Sequence, residues 1–401
     1  MYLKEIWISI IAFLLLAVMI FSCQELMPGT PANDSLLDGP LENLTYSQSR
    51  QHLAGDAAFN NQIFTAETGL GSIFVANSCG SCHAGDGKGH PFTTLTRFGQ
   101  VDETGNKFLN EGGPQLQHRA LPGYTPEQIP EGATFSKFTP PANTGLGFLE
   151  LVSDADILAM ADPNDDNSDG ISGVPNWNSI PNYVTVNNDA VSNNGKYICR
   201  FGKKASVYNL LQQTSRAYNQ DIGITSIFEP FDVFSNKEID PEISINVVQD
   251  VVFYLQTLKA PIQRNANDPQ IVEGLNHFKQ IGCENCHRQT LHSGSSEVSS
   301  LSNKEFHPYT DLLLHDMGSG LDDGYTEGSA KTYEWRTPPL WGLGLSPNSQ
   351  GGEYFLLHDG RAKSIEEAIL LHGGEAAASA AKFSELAEAE QQSLIKFLKS
   401  L

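Results

Sequence analysis

The chain has 401 residues, 40% of them hydrophobic, and a formal charge of −22. This is ordinary globular material, long enough for two or three domains. The charge argues against nucleic acid, because phosphate binding needs a basic face; it suits a basic redox partner, although most of it is solvated surface that keeps the protein soluble.

At the N-terminus, Lys4 precedes an unbroken apolar run from Ile6 to Phe21, closed by Ser22-Cys23. This order reads as a secretory signal rather than a spanning helix. It is also similar to a bacterial lipoprotein signal, in which Cys23 becomes the lipidated first residue, although a bulky Phe21 departs from the usual pattern. The expectation is a signal over residues 1–22 and a flexible tether over 23–50, with Pro28 to Asp38 rich in Pro, Asn, Asp and Gly. The protein would then sit lipid-anchored on the periplasmic side of a bacterial membrane or cell envelope.

Helical spacing from Gln51 to Phe74 leads into Cys79-Gly80-Ser81-Cys82-His83, followed by a Gly- and Pro-rich loop, Gly85 to Pro91. A polar stretch with little regular structure runs to about Thr134, apart from a short turn at Pro126-Glu127-Gln128. Thr139-Pro140-Pro141 and Gly145-Leu146-Gly147 come next, then Ser153 opens a short helix through Ala161. Asp165 to Gly170 and an irregular Asn-rich stretch to about Asn194 separate this part from helices resuming at Ala205. Val247 to Leu258 reads as a buried helix, and Pro261 to Pro269 as the inter-domain linker. Val272 to Ile281 is a helix entering Cys283-Glu284-Asn285-Cys286-His287. Thr337-Pro338-Pro339, Gly342-Leu343-Gly344 and a helix from Ser364 through His372 then repeat the earlier order, and Leu394 to Leu401 is an amphipathic closing helix. One module therefore occurs twice, in domains spanning 51–262 and 263–401. The expected fold class is mainly α, with two cytochrome c-like haem modules in tandem and long irregular loops.

C-x-x-C-H is the attachment site of a c-type haem. Two thiols one helical turn apart can each add across a vinyl group of one porphyrin, and the adjacent His meets the iron as proximal ligand. A redox C-x-x-C and half a zinc site are the alternatives; two copies that both end in His, with no second Cys or His pair nearby, disfavour a closed zinc site. Cys79, Cys82, His83, Cys283, Cys286 and His287 are thus the expected ligands of two covalent haem c groups. Of six cysteines only Cys199 lies outside these motifs and the signal, where it reads as a buried small hydrophobe.

In the second module, Ser364 and Glu367 form an S-x-x-E capping box. Ile365, Ala368, Ile369 and His372 share one helix face, ended by Gly373-Gly374. His372 is then a distal iron ligand or, equally on position alone, a core or capping histidine. The corresponding place in the first module is Ala161, which cannot bind iron. The first haem is expected to keep an open sixth site unless His90, His118 or Met160 fills it, and an open site is what peroxide chemistry requires. Glu150 is a candidate general acid and base beside it, with a surface Glu as the bland alternative. Asp165, Asn167, Asp169 and Gly170 fit D-x-N-x-D-G, the first half of a calcium loop, but the twelfth position is Asn176 instead of Glu.

These stretches resemble one family throughout the mature chain. They are Gly145-Leu-Gly-Phe-Leu-Glu150, Ala161-Asp-Pro-Asn-Asp-Asp-Asn-Ser-Asp-Gly-Ile-Ser-Gly173, Tyr309-Thr-Asp-Leu-Leu-Leu-His-Asp-Met-Gly318, Glu334-Trp-Arg-Thr-Pro-Pro-Leu-Trp-Gly-Leu-Gly344 and Leu357-His-Asp-Gly-Arg-Ala362 with His372-Gly-Gly-Glu-Ala376. The family is the bacterial di-haem c-type oxidoreductases, grouped with peroxidases and thiol oxidoreductases and more distantly similar to bacterial cytochrome c peroxidase and MauG. The resemblance implies a ligand of the electron-transfer haem at His372, with Met317 as competitor. It implies hydrogen peroxide as substrate and a small cytochrome as electron donor, the alternatives being a thiol- or protein-oxidising enzyme and a non-enzymatic electron carrier. The chain departs from the family at Arg200-Phe-Gly-Lys-Lys-Ala205, where Lys203 replaces a tryptophan that could relay electrons; Trp335 or Trp341 is the substitute.

Overall fold

Each half of the chain begins and ends with helices whose starts are set by local chemistry. The computed structural model describes residues 37, 39–99, 101–102, 105–106, 108 and 113–401. The signal expectation and Cys23 lie outside the described residues. Ten α-helices occur among them: α1 (Tyr46–Asp56), α2 (Leu146–Glu150), α3 (Asp154–Met160), α4 (Leu210–Ile222), α5 (Ile245–Thr257), α6 (Pro269–Gln280), α7 (Ser346–Ser349), α8 (Ile365–Leu370), α9 (Ala377–Glu385) and α10 (Glu388–Ser400). Thr45 and Gln48 form a reciprocal capping box at α1, and Ser153, Asn209, Ser244 and Ser364 each accept a backbone N–H at the start of their helices. Asp268 caps α6 and Pro269 takes its first position, so the expected linker ends in helix. At α8 the box is half made: Ser364 accepts from Glu367 N, but the Glu367 carboxylate accepts from Lys363 N instead.

α1 crosses α5 at Gly55, where a Cβ would collide with the Asp250 carbonyl and the Tyr254 side chain. α6 crosses α10 at Gly274 in the same way, against Ser393 and Phe397. The two G-L-G turns dock on the same helices six residues further on, Gly147 against the Gln256 carbonyl and Gly344 against that of Lys399. Gly145 N and Gly342 N then donate to the carbonyls of Leu258 and Leu401, at 3.2 and 2.8 Å. A small residue at each contact is what lets these backbones approach.

Between the helix pairs the chain departs from a mainly α description. The stretch to Thr134 and the Asn-rich stretch, expected to be irregular, contribute short antiparallel ladders. Leu95–Phe98 pairs with Phe135–Phe138, and Asn176–Asn178, Ser192–Asn193 and Lys196–Cys199 form a three-stranded sheet. The pairing partners lie up to 43 residues apart, beyond the reach of local spacing. The expected turn at Pro126 is not formed either. The chain turns at Pro122-Gly123, with Tyr124 N donating to Leu121 O, and Glu127 accepts from Gln117 N.

Residues 37–401 form one compact unit. Leu149, Ile157 and Leu258 from the first half share a core with Leu291, Phe306, Leu313 and Trp341 from the second. A second core joins α6, α8, α9 and α10 through Ile271, Phe278, Ile365, Phe383 and Phe397. No helix among the described residues is long and apolar enough to cross a membrane.

Candidate functional site

Both C-x-x-C-H segments are tight turns held by their first cysteine. Cys82 N and His83 N donate to Cys79 O at 3.1 and 3.0 Å, and His287 N donates to Cys283 O at 3.0 Å. The turn brings two thiols and an imidazole to one face, and in both copies that face lines a cavity of about 380 Å³ walled mainly by apolar side chains. Burial pushes the thiol of Cys79 up to about 12, Cys82 to about 11 and Cys283 to about 12, and raises Cys286 as well. A redox C-x-x-C needs a thiolate held low by nearby positive charge, so these thiols do not suit that role.

The histidines of these turns are aimed by backbone carbonyls. His83 Nδ1 lies 3.1 Å from Pro141 O, in the first T-P-P turn, and His287 Nδ1 lies 3.0 Å from Tyr309 O. A donated Nδ1–H fixes the tautomer and leaves Nε2 with its lone pair for a metal. His372, beyond the end of α8, is held in the same manner with Nδ1 2.6 Å from Ala368 O, and it too lines the cavity. Among the described residues, no hydrogen bond or ion pair engages Nε2 of these three histidines. Burial lowers the pKa of His83 and His287 to about 4 and lowers that of His372, which favours the neutral imidazole in each. The charge His372 would carry is felt by His287, which places the two in one site.

Each of the cavity's two remaining histidines has a carboxylate partner. His315 is sandwiched between Asp311 (Nε2 to Oδ2, 2.8 Å) and Glu375 (Nδ1 to Oε2, 2.7 Å). Burial pulls its pKa down, but the Asp311 charge and the hydrogen bonds outweigh that and lift it well above 6.5. Asp311, His315 and Cys286 are also the described residues whose donor atoms converge as a metal site would require. Both ring nitrogens of His315 are already bonded to carboxylates, so the group reads as a charge-compensated triad. His358 Nε2 bonds Asp323 at 2.7 Å, and its ring stacks on Trp335 at 3.7 Å. The sequence reading used His358 and His315 only as landmarks; their acidic partners, Asp323 and Glu375, lie 35 and 60 residues away.

Other expected residues lie elsewhere. Glu150 is off the cavity wall: Oε1 accepts from Leu210 N at 2.7 Å and Oε2 from Gln256 at 2.6 Å, so the carboxylate ties the start of α4 to α5. Burial raises its pKa. Ala161 ends α3 within the first core. His90 accepts from Phe92 N and packs between Phe92 and Phe355, His118 is exposed, Met160 packs on the first core, and none of the three lines the cavity. Met317 does line it. Asp165, Asn167 and Asp169 accept the backbone amides of Gly170, Asp169 and Ile171 in an exposed loop, so each side chain is turned onto its own backbone. Cys199 is buried, with its thiol pushed up to about 12 by burial.

Two C-x-x-C-H faces, three half-buried imidazoles with an uncommitted Nε2 and an apolar enclosure fit haem in both halves of the cavity. The class comes from a family match. Residues 137–401 match the family described as "Di-haem oxidoreductase, putative peroxidase", and the chain belongs to that family. The matched residues begin after Cys79 to His83. No curated protein matches the chain. Among solved structures, hydrazine synthase of Kuenenia stuttgartiensis aligns at 14% identity with a TM-score of 0.36, over 94% of this chain and 98% of that one. A score this low carries no argument here.

Proposed function

We propose that this di-haem oxidoreductase reduces hydrogen peroxide to water at the site of His83, with electrons delivered through the site of His287 and His372. The observation that supports this reading is an asymmetry. The second site offers two imidazoles with a free Nε2, and the first offers one. Haem bound at these turns through its thioethers would supply the iron chemistry that breaks the O–O bond with two electrons.

The chain's own contribution is orientation and protons. Pro141 O sets the His83 ring, and α4 and the first T-P-P turn wall that part of the cavity. Reduction of peroxide also consumes two protons. His358 lines the cavity with Nδ1 uncommitted and Nε2 held by Asp323, which makes it the better placed acid and base in this reading than Glu150. Export through the N-terminal signal, a lipid anchor at Cys23 and a small cytochrome as electron donor complete the proposal. Thiol oxidation draws no support from Cys199, whose sulfur is buried and protonated.

The test is optical and EPR spectroscopy of the purified protein before and after one equivalent of peroxide. One high-spin and one low-spin haem, with the high-spin signal consumed by peroxide, is the expected result. Two low-spin haems that ignore peroxide in both the oxidised and half-reduced states would leave an electron carrier.

A further inference from the structure

The cavity contains more positive charge than its walls neutralise. Lys88, Lys203 and Arg336 all line it. Arg336 N donates to Lys203 O at 3.0 Å and Arg336 Nε to Gly202 O at 2.9 Å, which fixes these two side by side. Lys203 Nζ reaches Thr139 Oγ1 at 3.4 Å, and Arg336 Nη1 reaches Thr337 O at 3.2 Å, so one cation rests on each T-P-P turn. The Ser349 hydroxyl in α7 donates to the Lys88 carbonyl at 2.9 Å, while Lys88 Nζ makes no hydrogen bond among the described residues.

None of the three takes part in the lysine and arginine ion pairs of the described residues. The acids whose fields reach them are already used: Asp359 bonds Arg361 at 2.7 Å and Asp311 bonds His315 at 2.8 Å. Burial, then repulsion from Lys88 and Arg336, brings Lys203 down to about 7, and burial alone brings Lys88 to about 8. Cations gathered in a mainly apolar enclosure are costly unless an anion joins them.

We propose that Lys88, Lys203 and Arg336 form a carboxylate-binding site within the cavity, filled by the propionate groups of the haem held at His83. The site rests on the haem reading of the cavity. Lys203 and His83 are anchored on opposite ends of one turn, at Thr139 and Pro141, and the Lys203 charge is felt by the His83 ring. Arg336 has Nη2 uncommitted, and a guanidinium fork suits a carboxylate. The other source of the same chemistry is a free organic acid.

The experiment compares the wild-type holoprotein with Lys203→Gln, Lys203→Arg and Lys88→Gln; the last removes no hydrogen bond, so it keeps the fold. Haem content is measured first by the pyridine haemochrome spectrum, and a protein without haem refutes the reading beneath the proposal rather than the proposal itself. With haem present, resonance Raman should show a shifted propionate-bending band in both Gln variants, the wild-type band in Lys203→Arg, and a lowered midpoint potential for one haem in the Gln variants. Acetate is the probe for the second source. Saturable acetate binding by the wild type that weakens at least tenfold in Lys203→Gln would keep the carboxylate site and assign it to a free acid. An unchanged propionate band in both Gln variants, with no acetate binding, overturns the proposal.

Discussion

His372 lines the cavity, while Ala161, at the matching distance from its capping serine, packs on the first core. Imidazole carries a lone pair and a methyl group does not. His372→Ala should therefore remove the low-spin EPR signal of one haem and add a high-spin one; an unchanged spectrum would move the ligand role to Met317. Glu150 illustrates the opposite case, a residue whose chemistry suited catalysis but whose oxygens are bonded to Leu210 N and Gln256. Glu150→Gln should lower stability by ~1–3 kcal/mol in urea denaturation. A loss of peroxide turnover at unchanged stability would return the residue to the acid–base role.

His315 carries the pH dependence at this scale. Its folded pKa is raised, so the stabilisation from Asp311 and Glu375 is fully present below pH 6.5 and is lost as pH rises through the raised value. His315→Asn leaves two buried carboxylates without their cation and should cost ~3–5 kcal/mol at pH 6. Urea midpoints at pH 6 and at alkaline pH check both statements, and equal stability of variant and wild type at pH 6 would sink them.

At the scale of elements, the helix starts were legible because a cap is a contact between residues two or three apart. Ser153 and Ser364 announce their helices in this way, whereas Thr45 and Asp268 cap helices that begin inside the expected tether and linker. The helix crossings are different, since Gly55 and Gly274 look unremarkable until α5 and α10 are laid against them. Gly274→Ala forces a methyl into the Ser393 carbonyl and should cost ~1–3 kcal/mol, read as a fall in the thermal midpoint. A neutral or stabilising result would mean that α6 and α10 can separate without loss. The short ladders escaped the sequence reading for the same reason: Leu95–Phe98 has no partner until Phe135–Phe138 arrives.

At the scale of the molecule, the shared core from Leu149 to Trp341 couples the two halves. Calorimetry of the full chain should therefore show one cooperative transition for residues 37–401, and two well-separated transitions would contradict the coupling. The same interleaving builds the cavity. Lys88 is held by Ser349, Lys203 by Arg336, and Thr139 by His358.

The sequence by itself determined the two C-x-x-C-H turns, the repeated T-P-P and G-L-G order and the caps at Ser153 and Ser364. Each of these is written in residues a few positions apart, where covalent geometry limits the outcomes. Only the tertiary structure decided that Glu150 faces α4, that the acids at 165 and 169 close on their own loop, that His315 and His358 are bonded to carboxylates, and that three cations share one cavity. Most of those contacts join residues between 35 and more than 200 positions apart, and they follow from which backbones can approach closely enough to pack, a property no local pattern contains.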